Sequence, residues 1–431
     1  MTIFGIKEAV VAPLLRAIAG ESLDGEEVLD RFARATWTGI AEPGDRIAGS
    51  LVAALGPARA LTVIVDCWDV GRIMSAVSAS GMVEPTDEEV AVALKRWTPR
   101  LKQGIALIAL RQAVRYGLSL IVPGDDNWPT GLDDLGAHAP LALWVRGDAS
   151  VLASAKTSIA LVGARAATGY GEHVTMEASA GLVDRGYTIV SGAAYGIDGM
   201  AHRAALASSG KTIAILAGGV DRFYPSGHEA LLTRITEVGA VVSELPCGQP
   251  PTRWRFLQRN RLIAAMSQAT VVLEAGWRSG SLNTAGHAAS LGRPLGAVPG
   301  PVTSAASAGC HRLIRDFDAQ CVTNADEMAE LAPLEIGGSP SGGDSSGGDA
   351  RGSESDGVRA QNPRHEHTRV LDALAPRSAR SVDDVASRAG LSIAEVQSVL
   401  GVLELDGAVQ ERETGWVKQR ASSVAAAAPV V

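Results

Sequence analysis

The sequence predicts an α/β protein built on a doubly wound, mainly parallel sheet. Between residues 157 and 334, apolar runs such as SIALVG and ATVVLEAG alternate with segments of helix length. Most of these runs are continuously apolar, as parallel strands buried on both faces are. Nearly every run ends in small residues, and the glycines at these ends include Gly163, Gly192, Gly218, Gly276 and Gly300. Repeated β-α units of this length imply a Rossmann-like sheet.

Residues 1–115 precede the sheet and are expected to form a small helical domain. Apolar residues recur at three- and four-residue spacing in residues 8–19, 25–35 and 46–55, which is typical of amphipathic helices. The turn AALGPARAL has a weak likeness to a helix-hairpin-helix, but an ordinary helix connection is the favoured interpretation. Two short strands around a Trp-Pro turn, LSLIV and PLALWV, then open the sheet domain, which we place at residues 116–335.

A low-complexity segment follows the sheet domain. Residues 336–363 are rich in Gly, Ser and Asp and have no apolar periodicity. This composition predicts a flexible linker. Residues 421–431 are expected to be a disordered tail.

Residues 364–420 are expected to form a winged-helix domain. They contain three helical segments and a hairpin, with Ser381 and Ser392 as helix N-caps and Glu395 completing a capping box. The last helix carries Glu395, Glu404 and Asp406 but no Arg or Lys. Because an acidic helix is poorly suited to a DNA groove, we favour a protein contact or weak duplex binding over sequence-specific readout.

Composition excludes several classes of protein. With 431 residues the chain has room for two to four domains. No segment reaches the roughly 18 apolar residues that span a bilayer, and Lys7 and Glu8 interrupt the N-terminal stretch where an export signal is apolar. We therefore expect a cytoplasmic protein without membrane insertion. The four cysteines are far apart and the eight histidines are scattered, so neither a disulfide framework nor a metal site is expected.

One stretch reverses the charge of a chain whose formal net charge is -8. Residues 251–261, PTRWRFLQRNR, contain four arginines together with Trp254 and Phe256. Arg side chains hold phosphates and flat aromatic faces accept stacked bases, so the stretch suits a single-stranded nucleic acid. An isolated run of this kind is more often a solvated helix face, so its surroundings decide between the two interpretations.

Glycine loops at the predicted strand ends favour a phosphate-bearing ligand. In a doubly wound sheet these loops line one crevice, where glycine lets backbone N–H groups approach a phosphate. The segment SGKT at residues 209–212 is not a Walker A loop, because Ala205 stands where the first glycine belongs and the segment precedes a strand. The segment GARAATGYG lacks the G-x-G-x-x-G spacing, and its Arg165 suits a nucleic-acid phosphate better than a dinucleotide.

The residues show no pattern of a catalytic site. There is no G-x-S-x-G elbow and no pair of carboxylates in one loop. Asp198, Asp221 and Glu274 lie near the predicted crevice, where they could orient arginines or cap helices. We therefore expect neither catalytic residues nor a cofactor.

Six motifs follow one another along the sheet domain, namely SGAAYGID, GGVDRFYPSG, FLQRNRLIAAMS, VVLEAGWRSGSLNTA, AVPG and GCHRLI. In order and spacing they resemble the DNA-processing protein A (DprA/Smf) family over residues 111–331. The N-terminal domain, SAM- or helix-hairpin-helix-like, and the small C-terminal domain match the layout of that family. The resemblance implies a protein that is not an enzyme. It would bind and protect incoming single-stranded DNA as a homodimer and load a RecA-type recombinase during natural transformation.

The resemblance also implies which residues contact DNA. Arg165 falls in the loop that reads GSR in the family, and Ser279 opens a segment that matches SGSxxTA. The motif FPxRNR matches from Phe256 onward, apart from Leu257. With neighbouring loop residues and Arg255, the predicted DNA-binding set is Gly163, Arg165, Ser191, Gly192, Gly196, Arg253, Arg255, Phe256, Arg259, Asn260, Arg261, Ser279, Gly280, Ser281 and Thr284.

Within the basic stretch we rank Arg259 and Arg261 first, Arg253 next and Arg255 last. The sequence departs from the family pattern at Ala164 for Ser, Leu257 for Pro, Ser226 for Lys and His228 for Asn. The missing cation at residue 226 reduces the expected contribution of that loop, for which Arg222 and Arg255 could compensate.

Two other functions stay open from the sequence. A sheet edge with many glycine loops also suits an enzyme that acts on nucleoside phosphates, although the sequence has no PGGxGT-type loop with a catalytic carboxylate. A transcription factor built on the winged helix is disfavoured by the acidity of its last helix.

Overall fold

The structure is a computed structural model, and it describes residues 2–81, 85–102, 104–334, 363–412 and 414–419. The predicted tail, and the predicted linker except for Pro363, lie outside the described residues.

The N-terminal part is helical, as predicted. After a short hairpin it contains seven α-helices and one 3-10 helix within the described residues: β1 Thr2–Ile3, β2 Ile6–Lys7, α1 Glu8–Ala19, α2 Gly25–Ile40, α3 Arg46–Leu55, α4 Pro57–Val65, α5 Val70–Ser78, α6 Asp87–Trp97, the 3-10 helix Thr98–Arg100 and α7 Ile105–Arg115. Helices α2 to α6 share a core in which the rings of Trp37 and Trp97 meet edge to face at 5.2 Å. Helix α2 runs five residues past its predicted end.

Helices α1 and α7 pack differently from α3 to α6, and α2 contributes to both cores. Both α1 and α7 cover the sheet, in a core shared with strand residues such as Leu120 and Trp144. Within the described residues, no single helix is long and apolar enough to cross a membrane; α3 and α4 reach that length and composition only as a pair bent by 113°.

A nine-stranded sheet forms the centre of the molecule. Its elements are β3 Leu118–Ile121, β4 Leu143–Gly147, β5 Ser158–Gly163, α8 Gly169–Asp184, β6 Thr188–Ser191, α9 Ile197–Ala207, β7 Thr212–Ile215, α10 Glu229–Val238, β8 Ala240–Ser243, α11 Arg253–Met266, β9 Ala269–Glu274, α12 Ser281–Ser290, β10 Leu295–Ala297, α13 Ala308–Asp316, β11 Gln320–Cys321 and α14 Ala325–Glu330. Three 3-10 helices, Thr130–His138, Ala149–Thr157 and Ser226–His228, lie in the connections.

The strand order is β11-β10-β9-β5-β6-β7-β8-β4-β3, parallel from β11 to β8 and antiparallel at β4 and β3. The six predicted parallel strands are confirmed as β5 to β10, and the predicted pair around the Trp-Pro turn is confirmed as β3 and β4. The two-residue strand β11 was not predicted, because so short a segment leaves no pattern.

Strand β5 shows why the runs are continuously apolar. Ile159 and Leu161 share a core with residues of α8 and α9. Ala160 and Val162 point to the opposite face, where residues of α11 and α12 pack. Because successive side chains alternate between the faces of a strand, a strand covered by helices on both sides needs apolar residues at every position.

The strand order of the sheet reverses at β5. From β5 it proceeds through β6 and β7 to β8, and then returns to place β9 on the other side of β5. The connections after β5 and β9 therefore leave on opposite faces, and a crevice opens at the carboxyl ends of these two strands. This crevice fixes the place where a ligand is expected.

The winged-helix prediction is also confirmed. Its elements are α15 Pro363–Ala373, α16 Val382–Ala389, α17 Ile393–Leu405, β12 Val409–Arg412 and β13 Gly415–Lys418. Ser381 and Ser392 cap their helices, and Glu395 completes the capping box of α17. Helix α15 packs on α11, and α16 packs on the 3-10 helix Thr98–Arg100.

Candidate nucleic-acid interface

A cavity of about 630 Å³ occupies the crevice at the ends of β5 and β9. Its size falls among the pockets that hold small molecules or parts of larger ones. Its lining comprises Val162, Gly163, Ala164, Arg165, Ala166, Ala194, Asp198, Phe256, Leu257, Arg259, Asn260, Ile263, Gly276, Arg278, Ser279, Gly280, Ser281, Thr284, Ala305 and Ala306. The cavity therefore joins the loops after β5 and β9 to one face of α11.

The loop after β5 presents Arg165 from a fixed backbone. The backbone N–H of Thr168 donates to Oε2 of Glu274 at 2.9 Å, and the Thr168 hydroxyl donates to Oε1 at 2.6 Å. On the other side, the N–H of Ile197 donates to the carbonyl of Ala164 at 3.1 Å. Arg165 itself is exposed. It can therefore offer its charge to a ligand without a large loss of backbone entropy.

An aromatic ring lies beside two arginines at the cavity. The guanidinium carbons of Arg165 and Arg259 lie 5.0 Å and 5.7 Å from the centre of the half-buried Phe256 ring. The exposed ring of Tyr224 is tilted against Phe256 at 5.6 Å. Flat rings beside cations are the usual platform for unstacked bases.

The loop after β9 adds hydroxyl groups and a second exposed cation. The hydroxyls of Ser279 and Ser281 lie 2.7 Å apart at the start of α12, where the helix dipole favours an anion. Asn260 donates from Nδ2 to Oδ1 of Asn283 at 3.2 Å, which ties α11 to α12. Arg278 is exposed and forms no ion pair with any residue that the structure describes.

Arg259 and Asp198 form the buried floor of the cavity. Arg259 donates from Nη1 to the carbonyls of Gly192, at 2.6 Å, and Ile215. Burial lowers the pKa of Arg259 to about 10, against the attraction of Asp198, so the guanidinium stays charged at neutral pH. Burial raises the pKa of Asp198, opposed by Arg259 and by the backbone N–H of Ala194.

The structure brings nine of the predicted residues to the cavity and leaves six outside its lining. The nine are Gly163, Arg165, Phe256, Arg259, Asn260, Ser279, Gly280, Ser281 and Thr284. Ser191, Gly192 and Gly196 support the cavity from behind: the Ser191 hydroxyl donates to the carbonyl of Leu161, and a Cβ at Gly192 would lie 2.3 Å from Arg259. Arg253 is exposed at the start of α11.

Arg255 and Arg261 are placed in the scaffold. Both are 3% exposed. Arg255 donates to Glu42 at 2.8 Å and 3.2 Å, and Arg261 donates to Glu244 at 2.6 Å and 2.7 Å. Because a buried charge needs a partner of opposite sign, these two arginines hold α11 to the rest of the protein. Their placement does not support the expectation that they contact DNA.

The predicted DNA-binding set did not include Arg278, Tyr224 or Asp198, although Asp198 had been considered near the crevice. Arg278 directly precedes the SGS segment, so its position beside a predicted ligand loop was a usable signal. Tyr224 lies in the loop after β7 and reaches Phe256 only through the fold, so no sequence pattern marked it.

Comparison with known proteins agrees with this architecture. The family model described as DNA recombination-mediator protein A matches residues 119–333, and the DprA winged helix domain model matches residues 358–413. A relative from Mycobacterium tuberculosis (strain CDC 1551 / Oshkosh) that carries the name DNA processing protein DprA is 44% identical over 329 residues, covering 74% of this chain and 82% of the relative. Protein Smf of Escherichia coli (strain K12) is 38% identical over 282 residues, covering 65% of this chain and 72% of the relative.

A solved structure shows the same likeness. The X-ray structure of DNA processing protein A (DprA) from Streptococcus pneumoniae has a TM-score of 0.54 and 28% identity, covering 70% of this chain and 97% of that chain. Sequence identity, the two matching family models and the shared fold lead to one conclusion: the chain belongs to the DNA-processing protein A (DprA/Smf) family.

Proposed function

We propose that the chain binds single-stranded DNA across the cavity and acts as a recombination mediator. The observation that carries the proposal is the pairing of exposed arginines with an aromatic ring at one crevice. Arg165 and Arg278 line the cavity without ion-pair partners among the described residues, and Phe256 lies beside Arg165. In a chain of net charge -8, such a local cationic site favours a confined nucleic-acid contact.

The geometry favours a single strand over a duplex. Stacking on Phe256 or Tyr224 requires a base that is free of its own neighbours, which a single strand supplies at little cost. The hydroxyls of Ser279 and Ser281 suit a phosphate that lies beside such a base. No base edge needs to be read, so we expect little sequence preference.

The finer parts of the proposal come from family membership. They are protection of incoming DNA, loading of a RecA-type recombinase during natural transformation, a homodimer and a cytoplasmic location. The proposed role requires no chemical step. We therefore expect no release of base from nucleoside monophosphates, a reaction that an enzyme on this fold would catalyse.

Two measurements test the proposal. The first is the affinity for a fluorescent oligothymidylate at low salt, where absence of binding would exclude the proposed function. The second is the rate of recombinase filament formation on single strands already coated with single-strand-binding protein. Acceleration by the chain supports the mediator role, and an unchanged rate would leave a DNA-binding protein with another purpose.

A further inference from the structure

The winged-helix domain is docked against the helix that carries much of the proposed DNA site. Helix α15 packs on α11, and α16 packs on the 3-10 helix Thr98–Arg100. The Arg100 guanidinium donates from Nε to the carbonyl of Ser387 in α16 at 2.7 Å. The docked domain therefore touches both the helical N-terminal part and the sheet domain.

The contacts concentrate on the first turn of α11. The backbone N–H of Arg253 donates to Oδ2 of Asp372 at 2.9 Å. The Trp254 ring lies near two groups of the winged-helix domain: the guanidinium carbon of Arg369 at 5.5 Å and the ring of His365 at 5.7 Å. Phe256, which lines the cavity, is in the same turn.

These contacts have the chemistry of a bound single strand. A carboxylate on the N-terminal N–H of a helix takes the place that a phosphate oxygen takes in an anion site. A planar group against Trp254 takes the place of a stacked base. The docked domain thus covers the first turn of α11, next to the cavity-lining residues Phe256 and Leu257, with groups that DNA could replace.

A buried charge cluster behind this contact includes one cation of the winged-helix domain. Glu42 accepts hydrogen bonds from Arg255 and pairs with Arg100. A Cβ at Gly390 would lie 2.8 Å from nitrogens of both Arg100 and Arg369, so the guanidinium of Arg369 enters the same buried cluster. Three guanidinium groups therefore surround Glu42.

The pKa directions agree with a crowded cationic cluster. Burial alone would raise the pKa of Glu42, but Arg100 and Arg255 hold it well below its usual range. Burial lowers the pKa of Arg369 to about 10, and repulsion from Arg100 works against its attraction to Glu42. Desolvation and like charges therefore offset part of the attraction between Arg369 and Glu42.

We propose that the winged-helix domain and single-stranded DNA compete for the first turn of α11, so that the docked arrangement is a closed state that a long single strand opens. The inference rests on the proposed function of the cavity. It assigns to the domain a role in setting the affinity for DNA, and it adds Trp254 and the N–H of Arg253 to the surface that DNA contacts after opening.

The test uses the full chain with Asp372→Lys. A lysine there loses the bond to the Arg253 N–H and places a cation against the positive end of α11, which favours the open state. Asp406→Lys is the matched control, because it makes the same charge change at the exposed end of α17. If a third or less of the unmodified molecules are in the open state, Asp372→Lys should lower the dissociation constant for a strand of about 30 nucleotides at least about threefold.

Hydrogen exchange of the unmodified chain gives a second readout that does not depend on how the variant folds. DNA is expected to increase exchange of the side of α15 that packs on α11 and of the 3-10 helix Thr98–Arg100, as the docked surfaces separate. Equal affinities of the two lysine variants, or unchanged exchange in these segments with DNA bound, would overturn the inference while leaving the proposed function in place. Absence of DNA binding by the unmodified chain would overturn the proposed function itself.

Discussion

Arg165 and Arg278 give the sharpest test of the proposed interface. Both are exposed cations at the cavity without ion-pair partners among the described residues. Replacing each by Ala should therefore cost DNA affinity without costing stability. We expect the free energy of unfolding to stay within about 0.5 kcal/mol of the original value, as it does for most surface substitutions.

The expected loss can be worked from the number of phosphate contacts. We count three exposed arginines as phosphate contacts: Arg165 and Arg278 at the cavity, and Arg253 at the start of α11. At about -0.7 per contact on a single strand, three contacts give a log-log salt slope of about -2. Removing Arg165 and Arg278 together should leave about -0.7. With roughly 1 kcal/mol per exposed contact, each single variant should bind about fivefold more weakly at low salt.

The assay is fluorescence anisotropy of an oligothymidylate across a salt series. Arg234→Ala is the control, because Arg234 is exposed on α10 and does not line the cavity. The double variant should lose roughly 25-fold if the two contacts act independently. An unchanged slope and affinity in the double variant, with the original chain binding normally, would refute the assignment of this cavity to DNA.

Three further outcomes follow from the buried groups. Arg261→Ala leaves the largely buried Glu244 carboxylate without its bidentate partner, and it should cost about 3–5 kcal/mol of unfolding free energy in urea titrations. A loss below about 1 kcal/mol would contradict the scaffold role. Glu274→Ala removes both hydrogen-bond acceptors of Thr168, so it should weaken DNA binding in the original chain. In a chain that already carries Arg165→Ala, the same change should cause little further loss of affinity. Fully additive losses would contradict a positioning role for Glu274. Burial lowers the pKa of His202 to about 3. The stabilisation from its neutral imidazole is therefore complete above about pH 6.5. As the pH falls towards 3, the free energy of unfolding should drop by up to about 5 kcal/mol. In thermal unfolding, His202→Gln should reduce the fall in melting temperature between about pH 6.5 and pH 3. An unchanged pH dependence would contradict this assignment.

The sequence could predict the sheet because its signal is local. A strand covered on both faces must be apolar at every position, so runs such as SIALVG identify β5 before any contact is known. The glycines at the strand ends likewise indicate the ligand edge, since parallel strands in one sheet end on the same side. The capped helices of the winged-helix domain were predictable for the same reason, because Ser392 and Glu395 are neighbours in sequence.

Only the tertiary structure decided which arginines of the basic stretch face a ligand. Residues 251–261 offer four similar cations on one helix, but each points to a different environment. Arg255 meets Glu42 from the helical N-terminal part, Arg261 meets Glu244 from the end of β8, and Arg259 lies under the cavity. The partners are 213 and 17 residues away in two of these pairs. No local pattern encodes contacts at such separations.

The sequence by itself therefore determined the family, the layered fold and the crevice where a ligand belongs. The fold decided the composition of the site, because Arg165, Arg278, Tyr224 and Phe256 come from four different connections that only the sheet brings together. Burial then set the role of each charge. An arginine enclosed with a carboxylate stabilises the protein, and one left exposed at the crevice remains able to bind phosphate.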